Sequence, residues 1–216
     1  MTEQQNNVKR RGLKLAFVTF LTFARLPLVL IFFTGAIFFA FNNRPWVFAM
    51  SFGSLVIAAV TDLFDGYFAR KFKVETKLGA HADPLMDKFF YLATLPLLVF
   101  VAMRNGHITH AVILLVMTLC FLARDQWVTF LRSIGALYGV SGRANWSGKL
   151  RTALNLPMMC VIYYFEESPW PLISREIVWI FEGITFFINF LSLYIYTSFY
   201  WPCLIKSINL GKNKDD

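Results

Sequence analysis

The sequence predicts an all-α integral membrane protein, a six-transmembrane-helix bundle with both termini cytoplasmic. Three observations predict it. Hydrophobic residues make up 57% of the chain and charged residues only 16%, against about 45–50% and about 25% in ordinary soluble domains. The apolar residues gather into six runs, at 15–41, 46–69, 80–103, 108–138, 147–166 and 176–205, and about 20 such residues cross about 30 Å of hydrocarbon. The basic residues between the runs alternate in number from one side to the other.

Taken in order, the first run follows Lys9, Arg10, Arg11 and Lys14. It is too long for the roughly 7–15-residue core of a cleaved signal peptide, so it reads as a retained helix. Arg44 stands between the first two runs, and Arg70, Lys71, Lys73 and Lys77 between the next two. Arg104, then Arg143, Lys149 and Arg151, then Arg175 mark the following connections, and Lys206, Lys212 and Lys214 close the chain. Fourteen of these cations fall on one side and three on the other. Cytoplasmic loops carry the excess of Lys and Arg, which sets the orientation. The expected organisation is a cytoplasmic segment over 1–12, a transmembrane domain over 13–206 and a cytoplasmic tail over 207–216.

The net charge of +8 would suggest nucleic acid in a soluble chain. Here the cations sit between apolar runs, so the partner is the membrane and its lipids, with no nucleic acid. Disorder is excluded by the 18% aromatic content. Three separated cysteines exclude a disulfide scaffold. Trp127, Trp170, Trp179 and Trp201 read as interfacial or lipid-facing residues. His107 and His110 fall in an outer loop and suggest no role.

The acids are the informative residues. Asp62 and Asp65 end the second run, and Asp83 and Asp87 begin the third. Residues three or four apart share a helix face. A short basic loop makes the two helices antiparallel neighbours, so both pairs lie at one depth near the cytoplasmic surface. Four carboxylates together repel one another. Solvated acids paired with Lys71, Lys73 and Lys88 are the simple reading. Four acids at fixed spacing, interleaved with glycines and Ala-Arg, point instead to hard divalent cations, whose preferred ligands are carboxylate oxygens. Two such ions suit phosphoryl chemistry.

At Asp62, Asp65, Gly66, Ala69, Arg70, Gly79, Asp83 and Asp87 the chain matches D-x2-D-G-x2-A-R-x8-G-x3-D-x3-D at every fixed position. It thereby resembles the CDP-alcohol phosphotransferase family. The resemblance implies transfer of the phosphoryl-linked group of a CDP-linked lipid or alcohol to an acceptor hydroxyl, with CMP leaving. It implies that Asp62, Asp65, Asp83 and Asp87 hold two divalent cations, Mg²⁺ or Mn²⁺, and that Asp87 takes the acceptor proton. It places Asp62, Gly66, Ala69, Arg70 and Gly79 against the CDP pyrophosphate. Gly66 and Gly79 would admit close approach to the backbone. Arg70 would contact phosphate oxygens. A homodimer in a cell inner or plasma membrane, with the site facing the cytoplasm, is the family-level expectation.

The acceptor is read from the second half. Arg124 and Arg132 lie eight residues apart in the fourth run, near one helical stripe. With Arg143, Lys149 and Arg151 they form a candidate pocket for the phosphate of an anionic acceptor. Positive-inside topology would explain Arg143, Lys149 and Arg151 without a ligand, and Arg124 has a simpler role in pairing with Asp125 or the motif acids. The stretch Ala123-Arg124-Asp125, Arg132 and Gly148-Lys149-Leu150-Arg151-Thr152 resembles the branch of the family that converts CDP-diacylglycerol and glycerol 3-phosphate into phosphatidylglycerol phosphate. Leu21-Thr22-Phe23-Ala24-Arg25 resembles that branch's N-x-L-T-x-x-R, with Thr19 where Asn is usual. Arg25 either lines the site or snorkels to the interface. The same chemistry with phosphatidylglycerol or inositol phosphate as acceptor is the near alternative. An ion-coupled transporter is the distant one, disfavoured because its acids would sit at the midplane among internal repeats.

Overall fold

Each apolar run becomes one helix. In a computed structural model, residues 3–72, 77–140 and 146–212 are described, with side chains at all of these except 3–14, 18, 63, 65–70, 77–84 and 209–212. Among the described residues the elements are α1 (Glu3–Asn42), α2 (Pro45–Phe72), α3 (Lys77–Arg104), α4 (Ile108–Leu137), α5 (Trp146–Glu167) and α6 (Arg175–Lys212). α1 runs back through most of the segment expected to stand apart at 1–12, and α6 runs forward into the expected tail. Polarity alone does not end a helix, and Glu, Gln, Lys and Arg are good helix formers.

Glycine in the left-handed region stops α3 and α4. Gly106 has φ 79°, and the next N–H, of His107, bonds back to the Ala102 carbonyl at 3.0 Å. Gly139 has φ 69°, and Val140 N–H reaches the Gly135 carbonyl at 3.0 Å. Both closures capture a carbonyl that the helix end would leave unsatisfied.

α1, α2, α3, α4 and α6 are long and apolar enough to cross a membrane. α5 falls short of that measure, because Lys149, Arg151, Asn155, Glu166 and Glu167 dilute its 22 residues. The helix pairings explain how such a helix is housed. α1 packs on α2, α2 on α5, α5 on α6, α6 on α4, α4 on α3 and α3 on α1, while α3 also packs on α5 across the middle. The six helices therefore form a closed ring with a central α3–α5 crossing.

Val29, Phe32, Leu55, Leu98, Met159 and Ile162 are buried in the core. Tyr163 lies among them, edge-on to Phe32, with its hydroxyl 3.0 Å from Ser51 Oγ. Outside, Leu115, Leu119, Ile180 and Phe187 are exposed. Inside are Arg25, Arg124, Arg151, Asn155, Glu166, Glu167 and Glu182. An apolar exterior around a charged interior is the pattern of a multi-pass membrane protein.

Charged groups form clusters at the two ends of the bundle. One end holds the motif aspartates. The other holds Arg104, Asn105, His107, His110, Glu166, Glu167 and Glu182. Arg104 Nη2 donates to Glu167 at 2.5 Å, and Asn105 Nδ2 to the Glu166 carbonyl at 2.6 Å. His107 Nδ1 lies 2.9 Å from Glu166. His110 uses both ring nitrogens, at 2.6 Å to Glu166 and 2.6 Å to Glu182. The two histidines thus leave the roleless loop expected of them. His107 precedes α4, His110 lies in its first turn, and His110 ties α4 to α5 and α6.

Removing one partner from a buried ionic network leaves the others uncompensated, at a cost of about 3–5 kcal/mol. Glu166→Ala is therefore expected to lower the thermal midpoint in detergent strongly, read as loss of the monodisperse peak after heating. A midpoint unchanged from wild type would show that the network carries no stability.

Candidate active site

Three helices bring the first half of the site together. Arg25 lies deep in α1 and is 1% exposed, so it lines the site and does not snorkel. Its Nη2 lies 2.6 Å from Asp62 Oδ1 on α2. Its Nη1 donates to Asp87 Oδ1 on α3 at 2.9 Å. Asp62 and Asp87 are close enough to repel each other, and the shared guanidinium offsets that repulsion. α1 packs on both α2 and α3, which are not themselves packed together among the described residues, so it is Arg25 on α1 that lets two acids from different helices face one cation.

The convergence also bears on metal. Two carboxylates from α2 and α3 aimed at one point make a hard-oxygen donor pair, which suits a divalent ion. Among the described residues no group of three or more His, Cys, Asp or Glu side chains is arranged to hold a metal ion. The backbone at Asp65, Gly66, Ala69, Arg70, Gly79 and Asp83 is helical, and the side chains at these positions lie outside the described residues, as does Arg143 altogether. Asp65 follows Asp62 by three residues and Asp83 precedes Asp87 by four, so each stands one turn from its described partner.

The second half is a chain of arginines. Arg124 on α4 donates to Asp125 Oδ1 at 3.0 Å and to Ser192 Oγ on α6 at 2.5 Å. Arg151 on α5 lies 2.9 Å from the same Asp125 Oδ1. That contact is an ion pair without hydrogen-bond alignment, because Arg151 Nη1 has no hydrogen-bond partner. Arg132 donates to the Tyr196 hydroxyl on α6 at 2.9 Å. The guanidiniums of Arg124 and Arg132 both lie 5.2 Å from the centre of the Tyr196 ring, an attractive geometry for a cation over an aromatic face. The expected stripe of Arg124 and Arg132 is thus real, and Tyr196 is the surface it faces. Gly148 makes room for this tyrosine, since a Cβ there would stand 2.8 Å from the Tyr196 hydroxyl.

Two of the three guanidiniums, those of Arg124 and Arg151, share one carboxylate, Asp125. The Nε atoms of Arg124, Arg132 and Arg151 are also buried without a hydrogen-bond partner. Buried donors are rarely left so. A site with surplus positive charge and spare donors is chemically suited to an anion with several oxygens. Lys149 is exposed and has no part in this chain of contacts. Positions 149 and 151 do not share a helix face.

The two halves adjoin. Asp87 lies within electrostatic reach of Arg151 as well as Arg25. Tyr91 sits between them, with the Arg151 guanidinium 5.3 Å from its ring centre. Tyr91, Ser147, Ser192 and Tyr196 were not evident from the sequence as site residues. The available signal was the polar spacing Asn189, Ser192 and Tyr196 along an otherwise apolar α6, which places them on one face.

Residues 16–193 match the profile of a family described as CDP-alcohol phosphatidyltransferase. The chain is similar to a CDP-diacylglycerol–glycerol-3-phosphate 3-phosphatidyltransferase of Yersinia pestis, at 29% identity over 196 residues, covering 90% of this chain and 100% of that protein. Its similarity to the protein of the same name in Haemophilus influenzae is 32% over 139 residues, 63% of this chain and 69% of that one. For Cereibacter sphaeroides the figures are 32% over 111 residues, 51% of this chain and 49% of the relative.

The surplus of positive charge makes its own forecast. Inorganic phosphate at about a hundred times its dissociation constant should stabilise the protein by ~2.7 kcal/mol, read as a raised thermal midpoint. Arg124→Gln should remove most of that rise. An equal rise in wild type and variant would mean that phosphate acts elsewhere.

Proposed function

The chain belongs to the CDP-alcohol phosphatidyltransferase family, and from that premise we propose that it transfers the phosphatidyl group of CDP-diacylglycerol to glycerol 3-phosphate, forming phosphatidylglycerol phosphate and releasing CMP. The observation that carries this reading is the junction of an acid pair with a cluster of partner-poor arginines. The acids suit the reacting end of the acceptor, and the arginines suit a phosphate at its other end. Among the described residues Asp125 is the one carboxylate ion-paired with the three arginines, and a cluster so rich in cations suits a phosphomonoester dianion better than a neutral amino-alcohol. The curated relatives named above carry this same reaction in their names.

In this reading the acceptor hydroxyl oxygen attacks the phosphorus that bears the diacylglycerol. The bond from that phosphorus to the bridging oxygen breaks, and CMP leaves with that oxygen and its electron pair. The hydroxyl proton passes to Asp87, which serves as general base. Arg25 holds Asp62 and Asp87 in register from the α1 side. Gly66, Ala69, Arg70 and Gly79 line the pyrophosphate, and Asp62 borders it. Arg124, Arg132 and Arg151 hold the acceptor phosphate, with Arg143 and Lys149 at its approach. Two divalent cations, Mg²⁺ or Mn²⁺, held by Asp62, Asp65, Asp83 and Asp87, would supply charge stabilisation on the phosphoryl oxygens.

The same reading gives the topology. All six helices cross the membrane, α5 among its neighbours, and both termini and the aspartate end face the cytoplasm. The fourteen-to-three distribution of loop cations supports that orientation.

The test is CMP release by purified protein supplied with CDP-diacylglycerol, Mg²⁺ or Mn²⁺, and one acceptor at a time. Glycerol 3-phosphate is expected to be the productive acceptor, ahead of phosphatidylglycerol and inositol phosphate. A chelator should abolish turnover, and either metal should restore it. Asp65→Asn and Asp87→Asn should each lower turnover by about 10²–10⁴-fold, the range for removal of a general base, while the protein still inserts and elutes as a folded species. Near-normal turnover in either variant would overturn the role given to that acid.

A further inference from the structure

Tyr91 occupies a position that the reaction as described leaves unused. It lies one helical turn after Asp87 on α3, so the two side chains share a face. It is 2% exposed, and its hydroxyl is buried with no hydrogen-bond partner among the described residues. Elsewhere the bundle satisfies such groups. The Tyr163 hydroxyl meets Ser51, and the Tyr196 hydroxyl accepts from Arg132. Tyr200 also has an unpartnered hydroxyl, but it lies near Arg132 and no carboxylate. Tyr91 is different in its surroundings. It lies within electrostatic reach of Arg151, Asp87, Asp125 and Asp62 at once, so it stands where the acids end and the arginines begin. The Arg151 guanidinium over its ring holds the ring in place.

We propose that the Tyr91 hydroxyl is a positioning contact for the bound acceptor, donating a hydrogen bond to a phosphorylated polyol where that molecule passes from Asp87 to Arg151. This rests on the reaction assigned above. A short acceptor whose hydroxyl meets Asp87 and whose phosphate meets the arginines must lie along this seam. An orphaned hydroxyl is costly until something fills it, and here the acceptor is the group that does so. The effect on rate is through alignment, since Tyr91 holds the acceptor and the proton goes to Asp87.

Tyr91→Phe deletes only the hydroxyl. In the full-length protein, KM for glycerol 3-phosphate is expected to rise about tenfold, as for loss of a hydrogen bond to a charged or polar ligand. KM for CDP-diacylglycerol should be unchanged. The thermal midpoint without substrate should be equal to wild type or higher, because the deleted group had no partner. A purely structural tyrosine would instead lower the midpoint and disturb both KM values, and that result overturns the proposal. So does a variant indistinguishable from wild type. Repeating the comparison with 1,3-propanediol monophosphate, which lacks the secondary hydroxyl, locates the contact. A penalty that vanishes assigns it to that hydroxyl, and one that persists assigns it to the phosphate. If wild type releases no CMP with any phosphorylated polyol, the reaction fails and this contact with it. A working wild type beside an unaffected Y91F removes the contact alone.

Discussion

Charge compensation inside an apolar bundle governs this molecule. Arg25, 1% exposed, sits between Asp62 and Asp87 at 2.6 and 2.9 Å. Arg25 would not be tolerable there alone, since an isolated buried ion loses far more hydration than packing returns. Together they fix α1 against α2 and α3. The arginine cluster obeys the same rule less completely, with Asp125 shared between Arg124 and Arg151. That incompleteness separates a structural ion pair from a binding site: the first is closed on itself, and the second has capacity left over.

The central crossing of α3 and α5 turns these pairs into one site. α3 carries Asp87 and Tyr91, and α5 carries Arg151, so their contact brings the acid half against the basic half. α6, between α4 and α5 in the ring, completes the basic half through Ser192 and Tyr196. At the far end the same helices are tied by Glu166, Glu167 and Glu182 to Arg104, His107 and His110. The bundle therefore has an ionic network at each end.

Much of this was legible in the sequence, for physical reasons. Helix extents follow from apolar run length and Gly stops, both local properties. Asp62 and Asp87 follow from spacing in a motif, and Arg124 with Arg132 from helical periodicity. What stayed hidden depends on contacts between distant segments. Tyr196 is one aromatic among many in a chain that is 18% aromatic, and nothing local marks it as the face between two guanidiniums. Nothing local marks Glu166 and Glu167 as buried, and their burial depends on the distant Arg104, His107 and His110 that meet them. The choice for Arg25 between lining the site and reaching the interface was likewise decided by which helices surround it.

The make-up of α5 has a consequence for biogenesis. Charged residues near a segment's middle or ends make it a poor candidate for independent partitioning from the translocon. Its buried face, from Ser147 through Arg151 and Asn155 to Glu167, is matched only by groups on α2, α3, α4 and α6. The earlier helices are already synthesised when α5 emerges, but Ser192 and Asn189, which meet Ser147 and Asn155, come later in the chain. On the six-span reading proposed above, integration of α5 is coupled to the arrival of α6, and a nascent chain halted between them exposes a polar helix that lipid cannot solvate.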